Sequence, residues 1–373
     1  MLIALQILGG FALLIVGSEV LVRGASNLAA LLGMTPLVIG LTVVAFGTSS
    51  PELAVSIQSV FEGKADLAVG NAVGSNILNV LLVLGLSSLV VPLTVKSQVV
   101  KFDVPLMIGA TLALLLVTLD GSLSRIEGIS FVAVLIAYIT ILIRKARRET
   151  KQEKADAMSK LPESEAMALM EADVANPKAT GIYFALLVGG LIILGVGCSL
   201  FVDGSVALAK VIGVSELVIG LTVMSVGTSL PELVTTVVAV LRGERDMAVG
   251  NIVGSNMFNI LCVLGITSSI APDSIPVKAE VLHLHLPVAL ASAVICLPIF
   301  FTKWEISRWE GALMLVLYSA YTTYMLMQAY DSTSIDTFTK VACYGLLPLT
   351  VLILAGSTVM SIGSSKPKPD VNS

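Results

Sequence analysis

Residues 37–85 read LVIGLTVVAFGTSSPELAVSIQSVFEGKADLAVGNAVGSNILNVLLVLG, and residues 217–265 read LVIGLTVMSVGTSLPELVTTVVAVLRGERDMAVGNIVGSNMFNILCVLG. The two stretches align without a gap at an offset of 180, and 29 of their 49 positions are identical. Upstream the likeness fades but persists at fixed points: Val16-Gly17 against Val196-Gly197, Gly24 against Gly204, Gly33 against Gly213. The chain is two copies of one unit. Each copy embeds two polar clusters in apolar sequence, Gly47–Glu52 and Gly70–Asn79 in the first, Gly227–Glu232 and Gly250–Asn259 in the second.

The surroundings of these repeats fix the class. Of 373 residues, 56% are hydrophobic and 13% charged, against about a quarter charged in a soluble domain. A bilayer-spanning helix needs roughly 20 mostly apolar residues, and stretches such as 104–119, 129–143 and 182–202 approach or reach that length. The runs are continuous rather than alternating, which predicts helices and not a barrel. The first copy holds five apolar segments, near 3–22, 34–60, 67–93, 103–120 and 128–143; the second holds five more, near 181–202, 214–241, 247–270, 283–301 and 311–329. Five is odd, so the second copy enters the membrane from the opposite side. The expected fold is an all-α polytopic membrane protein of two inverted five-helix repeats, 1–143 and 181–330. A charged linker at 144–180 joins them, and an eleventh helix and tail follow at 331–373. Inverted repeats of this kind place a substrate site near the bilayer midplane.

Net charge, −4, gives no argument for nucleic acid as a partner. The four cysteines lie singly in apolar segments and read as small hydrophobes. The apolar N-terminus, with no basic leader, reads as a first spanning helix rather than a cleaved signal. Segment Arg144–Lys178 carries 15 of the 48 charged residues and opens with Arg144, Lys145, Arg147 and Arg148. Basic loops stay on the cytoplasmic face, so the linker is expected inside and the N-terminus outside. An acidic amphipathic piece, 163–173, has the pattern of a short helix.

The polar clusters carry the chemistry. Pro51 and Pro231 cannot donate to the carbonyls four residues back, which frees the Gly47 and Gly227 oxygens; in lipid such oxygens must face protein, water or a ligand. A carboxylate at mid-membrane costs about 2.5–3.5 kcal/mol on insertion scales, and two at equal depth repel unless protonated or bridged by a cation. Glu52 and Glu232 facing one another are a seat for a divalent cation. Ser49, Glu52 and Ser56 share one helix face, as do Asn71, Ser75 and Asn79, and Gly70 and Gly74 form a small-residue stripe for close packing. Six to eight oxygens suit calcium; neither cluster contains His or Cys, as zinc or copper would require. Charges at Glu62, Asp66, Arg242, Glu244 and Asp246 read as solvated loop caps, and His283 and His285 as packed or interfacial side chains.

The strings VAFGTSSPELAVS with GNAVGSNILNVLLVLG, and VGTSLPELVTT with GNIVGSNMFNILCVLG, resemble the two α-repeats of the cation/calcium exchanger superfamily, and prokaryotic sodium/calcium exchangers in particular. The resemblance spans residue 1 to about 330. It implies a ten-helix core in which the second and third helices of each half form the ion site. Glu52 and Glu232 would be central calcium ligands, Thr48 and Thr228 would offer mainly backbone oxygens, and Asn79 and Asn259 would complete the centre. Ser49, Ser229, Ser75 and Ser255 would serve flanking sodium positions, with the carbonyls of Ala45 and Ser225. The glycine-bearing first and sixth helices would slide across the core. The partners implied are calcium, sodium and the lipid of a plasma (bacterial inner) membrane, with no cofactor. Some members carry Asp where Asn259 stands, a residue associated with potassium co-transport, so this chain is expected to need no potassium. A calcium/proton antiporter of the same fold is the alternative. An intramembrane hydrolase using Ser49 or Ser229 lacks a visible base, so no enzyme is expected.

Overall fold

In lipid the backbone of an apolar run finds no water, and a helix satisfies each N–H and C=O within the segment. The computed structural model of the chain describes residues 2–158, 177–212, 225–330 and 332–364 and follows that rule throughout. In chain order the helices are α1 (Leu2–Leu31), α2 (Pro36–Phe61), α3 (Asp66–Val90), α4 (Val99–Asp120), α5 (Arg125–Met158), α6 (Pro177–Val211), α7 (described over 225–241), α8 (Arg245–Ile270), α9 (Val281–Phe301), α10 (Arg308–Ala329) and α11 (Ile335–Val359). Nine of them are long and apolar enough to cross a bilayer among the described residues; α10 adds a 22-residue helix, and α7 contains the shorter apolar helix Leu230–Leu241. The chain is a polytopic all-α membrane protein.

Local signals set the helix ends. Thr35 caps α2, its hydroxyl accepting from the Val38 N–H ahead of Pro36 at the first turn, and Ser307 with Glu310 forms a reciprocal capping box on α10. Asn79–Leu84 in α3 and Asn259–Leu264 in α8 widen into π turns at equivalent positions, as do Val99–Asp103 in α4 and Val281–His285 in α9.

Equivalent helices of the two halves meet across a two-fold relation. In α1 and α6, glycines seven apart face each other antiparallel. A Cβ on Gly10 would lie 2.8 Å from the Gly197 carbonyl, one on Gly17 3.1 Å from that of Gly190, and one on Gly190 2.9 Å from that of Gly17. Small residues let the two backbones approach, the usual basis of helix association in lipid. At the centre, Asn76 Nδ2 donates to the Asn256 carbonyl at 3.1 Å and Asn256 Nδ2 to the Asn76 carbonyl at 3.4 Å. The periphery repeats the exchange. Two-residue strand β1 (Leu93–Thr94) pairs with β4 (Glu305–Ile306), and β2 (Ser122–Leu123) pairs with β3 (Ile275–Pro276), both antiparallel.

The repeat helices are the interior. In α8, 94% of the apolar window is buried, against 33% in α1 and 28% in α6, so the last two lie on the outside of the core. Leu2, Leu5 and Leu8 of α1 present their side chains outward, as a lipid-facing helix does. Helix α11 packs on α9.

Two expectations change. The basic run from Arg144 is not a loop, because α5 continues as one helix to Met158; the polar end of a spanning helix keeps its hydrogen-bond ladder beyond the apolar run. The piece at 163–173 lies outside the described residues. Most of the loop charges are paired rather than merely solvated. Asp66 meets Lys278 at 2.6 Å and Asp246 meets Lys96 at 2.9 Å, each pair joining the halves, while Arg242 binds Glu19 of α1. Glu62 keeps to its own loop, where the Gln58 amide and Lys64 hold its carboxyl below the usual range. His285 is packed as expected, with Nδ1 2.7 Å from the Tyr321 hydroxyl.

Candidate cation site

Helix α2 breaks at Ser49 (φ −82°, ψ 4°) and restarts at Ser50 with Pro51 in its first turn; α7 breaks at Ser229 (φ −92°, ψ 7°) and restarts at Leu230 with Pro231. Each restart places a glutamate, Glu52 or Glu232, in the first turn of a 12-residue helix. Free N–H groups and the positive end of the dipole there favour an anion. The proline that breaks the helix therefore also prepares the seat for the carboxylate one residue later.

The two carboxylates are fully buried and tied across the halves. Ser49 Oγ donates to Glu232 Oε1 at 3.1 Å, and Ser229 Oγ donates to Glu52 Oε1 at 3.2 Å. Ser75 adds a bond to Glu52 Oε1 at 3.4 Å and itself meets Ser229 Oγ at 2.8 Å. Each glutamate keeps its Oε2 buried and without a partner. Asn259 Nδ2 donates to Ser75 Oγ and to Asn76 Oδ1, both at 3.0 Å, leaving its Oδ1 unpartnered; Asn79 has neither side-chain atom paired. Buried polar atoms of native proteins are paired with few exceptions. Five buried acceptors in the repeat motifs are without a partner, Oε2 of Glu52 and of Glu232 and Oδ1 of Asn79, Asn256 and Asn259, an arrangement that suits a cation. No cluster of three or more His, Cys, Asp or Glu occurs among the described residues, so the oxygens on offer are mostly neutral, and hard.

Thr48 gives its hydroxyl to Asn251 Oδ1 at 3.1 Å and contacts Ser255 Oγ at 3.3 Å, while Thr228 gives its own to Asn71 Oδ1 at 3.3 Å. Both threonine hydroxyls are thus tied to an asparagine of the opposite half. The Ala45 carbonyl accepts the Ser49 N–H at 3.0 Å, but Ser229 N–H goes to Val226 at 3.2 Å. Ser225 opens the described part of α7. Ser56, expected on the Glu52 face, is buried with its hydroxyl unpartnered.

The carbonyls freed by the prolines are each taken up by a side-chain donor. Ser50 Oγ donates to the Gly47 carbonyl at 2.7 Å, and Cys198 Sγ, from α6, reaches the Gly227 carbonyl at 3.0 Å. Cys198 is thus more than a small hydrophobe. The glycine stripe also divides: a Cβ on Gly250 would lie 2.7 Å from the Leu37 carbonyl and one on Gly254 2.8 Å from that of Leu41, whereas none on Gly70 or Gly74 meets a described atom within 4 Å. Their equivalent neighbours, 217–221, lie outside the described residues. The two flanks differ in exposure as well. Thr48 and Asn251 are buried, while Asn71 and Thr228 are half-buried.

Sequence reasoning did not single out Asn76, Asn256 and Asn251 as site residues. All stand in the repeated strings, so the recurrence itself was their signal.

Comparison with known proteins matches residues 2–144 and 182–327 to the family described as Sodium/calcium exchanger protein. The chain is 37% identical over 316 residues to Putative antiporter CaxA of Alkalimonas amylolytica, covering 84% of this chain and 96% of that one. It is 41% identical over 266 residues to Inner membrane protein YrbG of Escherichia coli K12, covering 71% and 79%. Sodium/calcium exchanger MaX1 of Methanosarcina acetivorans is 34% identical over 341 residues, covering 85% and 96%. Among solved structures, the sodium-calcium exchanger NCX_Mj, soaked with 2.5 mM Na+ and 0.1 mM Ca2+, superposes with a TM-score of 0.71 at 29% identity, covering 88% of this chain and 98% of that one.

Proposed function

Because the chain belongs to the sodium/calcium exchanger protein family, and so is a cation/calcium antiporter and not an enzyme, we propose that it exchanges sodium for calcium by alternating access at the Glu52/Glu232 centre. One observation carries the reading. Each carboxylate is held by a serine of the opposite half and keeps one buried oxygen without a partner. Two ionised carboxylates in a dry site repel, and a divalent cation between their free oxygens cancels that repulsion. Calcium, six- to eight-coordinate with oxygen, takes Glu52, Glu232 and the amide oxygens of Asn79 and Asn259. Sodium ions compete for the same centre through Ser49, Ser75, Ser229 and Ser255, with backbone carbonyls at Ala45, Thr48, Ser225 and Thr228.

Competition gives the coupling. An empty site leaves both charges uncompensated, so the halves switch only when calcium or sodium is aboard, and exchange follows. Helices α1 and α6, packed on each other through glycines and exposed to lipid, move as a pair over the core. Basic residues at the end of α5 support a cytoplasmic location for that end, with the N-terminus outside, in a bacterial inner membrane. With asparagine at both 79 and 259, the site holds two carboxylates and transport requires no potassium.

The test is calcium-45 uptake into proteoliposomes loaded with sodium and diluted into sodium-free buffer, with a proton gradient in parallel. Uptake that follows the sodium gradient supports the proposal. The free carboxylate oxygens would hold protons equally well, so uptake that follows only the pH gradient establishes a calcium/proton antiporter instead.

A further inference from the structure

The two halves solve one local problem differently. The carbonyl released by Pro51 is capped inside its own helix, by Ser50. The residue equivalent to Ser50 is Leu230, which has no donor to give, and the Gly227 carbonyl is capped instead by a thiol from another helix, Cys198 of α6 at 3.0 Å. The contact is close: one turn further along α6, Val202 lies where a Cβ on Gly227 would come within 2.6 Å of it.

The residue equivalent to Cys198 in α1 is Ser18. It makes no matching bond to Gly47; its hydroxyl meets Thr235 Oγ1 of α7 at 3.3 Å. Gly47 is covered by α6 too, through Leu191. The α1–α6 pair therefore sits unevenly over the two breaks. Exchanging the halves gives the converse arrangement, in which α1 takes the place of α6 and Ser18 faces the Gly47 carbonyl, while Cys198 faces Val55, which cannot bond.

We propose that Cys198 is a positioning residue that latches α6 to the break in α7 in this state alone, its thiol capping the Gly227 carbonyl only while the helix pair sits as observed. When α6 moves, the carbonyl is uncapped one turn before Glu232. Leu230 is what makes the latch effective, because a hydroxyl there would cap the carbonyl in both states and remove the bias. The inference rests on α1 and α6 moving during exchange.

The decisive variant is Leu230→Ser. Alkylation of Cys198 by N-ethylmaleimide, resolved from Cys262, Cys296 and Cys343 by peptide mass spectrometry of the full chain in proteoliposomes, needs no counter-ion to be known. Leu230→Ser frees the thiol and should raise its alkylation rate roughly three- to tenfold, the worth of one modest hydrogen bond; an unchanged rate overturns the latch. In transport, Cys198→Ala and Leu230→Ser should each raise the apparent KM for calcium presented at the Asn71 flank by a similar factor, with Cys198→Ser close to wild type. A thiol that serves folding alone predicts the opposite pattern, in which Leu230→Ser is silent and repairs Cys198→Ala, and that result rejects the proposal. Wild-type uptake reports separately on sodium coupling, so failure of that reading and failure of the latch are told apart.

Discussion

Glu52 and Glu232 each give one oxygen to a serine of the other half and keep one in reserve, so each removal has a defined consequence. Glu52→Gln and Glu232→Gln preserve shape and one acceptor but delete a charge. Breaking a buried ion pair by removing one partner costs about 3–5 kcal/mol, so calcium binding measured by calorimetry should weaken by two orders of magnitude or more in either variant, and exchange should cease. Full activity in either sinks the assignment. Asn259 tests the opposite change. With Asn259→Asp the site gains a third carboxylate beside Ser75 and Asn76, and its transport should come to depend on an added monovalent cation. Potassium at constant sodium should alter the variant's rate and leave the wild type's unchanged. At this scale most of the candidate site was legible, because Ser49, Glu52, Ser75 and Asn79 recur with their counterparts at one offset. What a neighbouring helix would do to Gly47 and Gly227 was not. The proline rule frees a carbonyl, but which donor recaptures it depends on packing that brings Cys198 alongside residue 227.

Helices were readable to within a few residues wherever apolar length decides, and less so where a helix outlasts its apolar run. The segment near 3–22 extends to Leu31 and that near 128–143 to Met158, because nothing in those polar ends breaks the ladder. The glycines show a subtler limit. Counting them cannot tell which face a partner; the structure selects Gly10, Gly17 and Gly24 of α1 against Gly190, Gly197 and Gly204 of α6, and leaves Gly9, Gly189 and Gly195 with open space. Substitution should follow that division. A Cβ on Gly17 would stand 2.7 Å from the backbone nitrogen of Leu194, which cannot rotate away, so Gly17→Ala should lower the thermal midpoint of the purified protein and slow exchange. Gly9→Ala meets nothing within 4 Å and replaces a residue that costs a helix about 0.5–1 kcal/mol; its midpoint should hold or rise. Equal losses in the two variants would show that the α1–α6 seam is not packed as described.

The whole molecule is a frame with two-fold exchange in which the symmetry is broken at a few places. Lys96–Asp246 and Lys278–Asp66 are counterparts, and so are the paired strands and the Asn76–Asn256 exchange; these hold the core whichever way it faces. Glu19 differs. It binds both Arg23 and Arg242, while the equivalents of Glu19 and Arg23 are Ser199 and Asp203 and that of Arg242 is Glu62, a set that cannot form the same bridge. The bridge ties α1 to the core beside the start of α8, on the flank where Thr48 and Asn251 are buried. On the other flank, Asn71 and Thr228 are half-buried. Accessibility should report this asymmetry directly. In a Cys343→Ser background, Asn71→Cys should react with a membrane-impermeant thiol reagent applied from outside, and Asn251→Cys should resist it from either face. Adding Arg242→Ala removes the tie that is peculiar to one flank, so Asn251→Cys should then become reactive from the cytoplasmic side, with Asn71→Cys correspondingly slowed. Faster labelling of Asn251→Cys than of Asn71→Cys in the intact protein would mean that the closed flank has been assigned to the wrong half, and with it the direction in which this state opens.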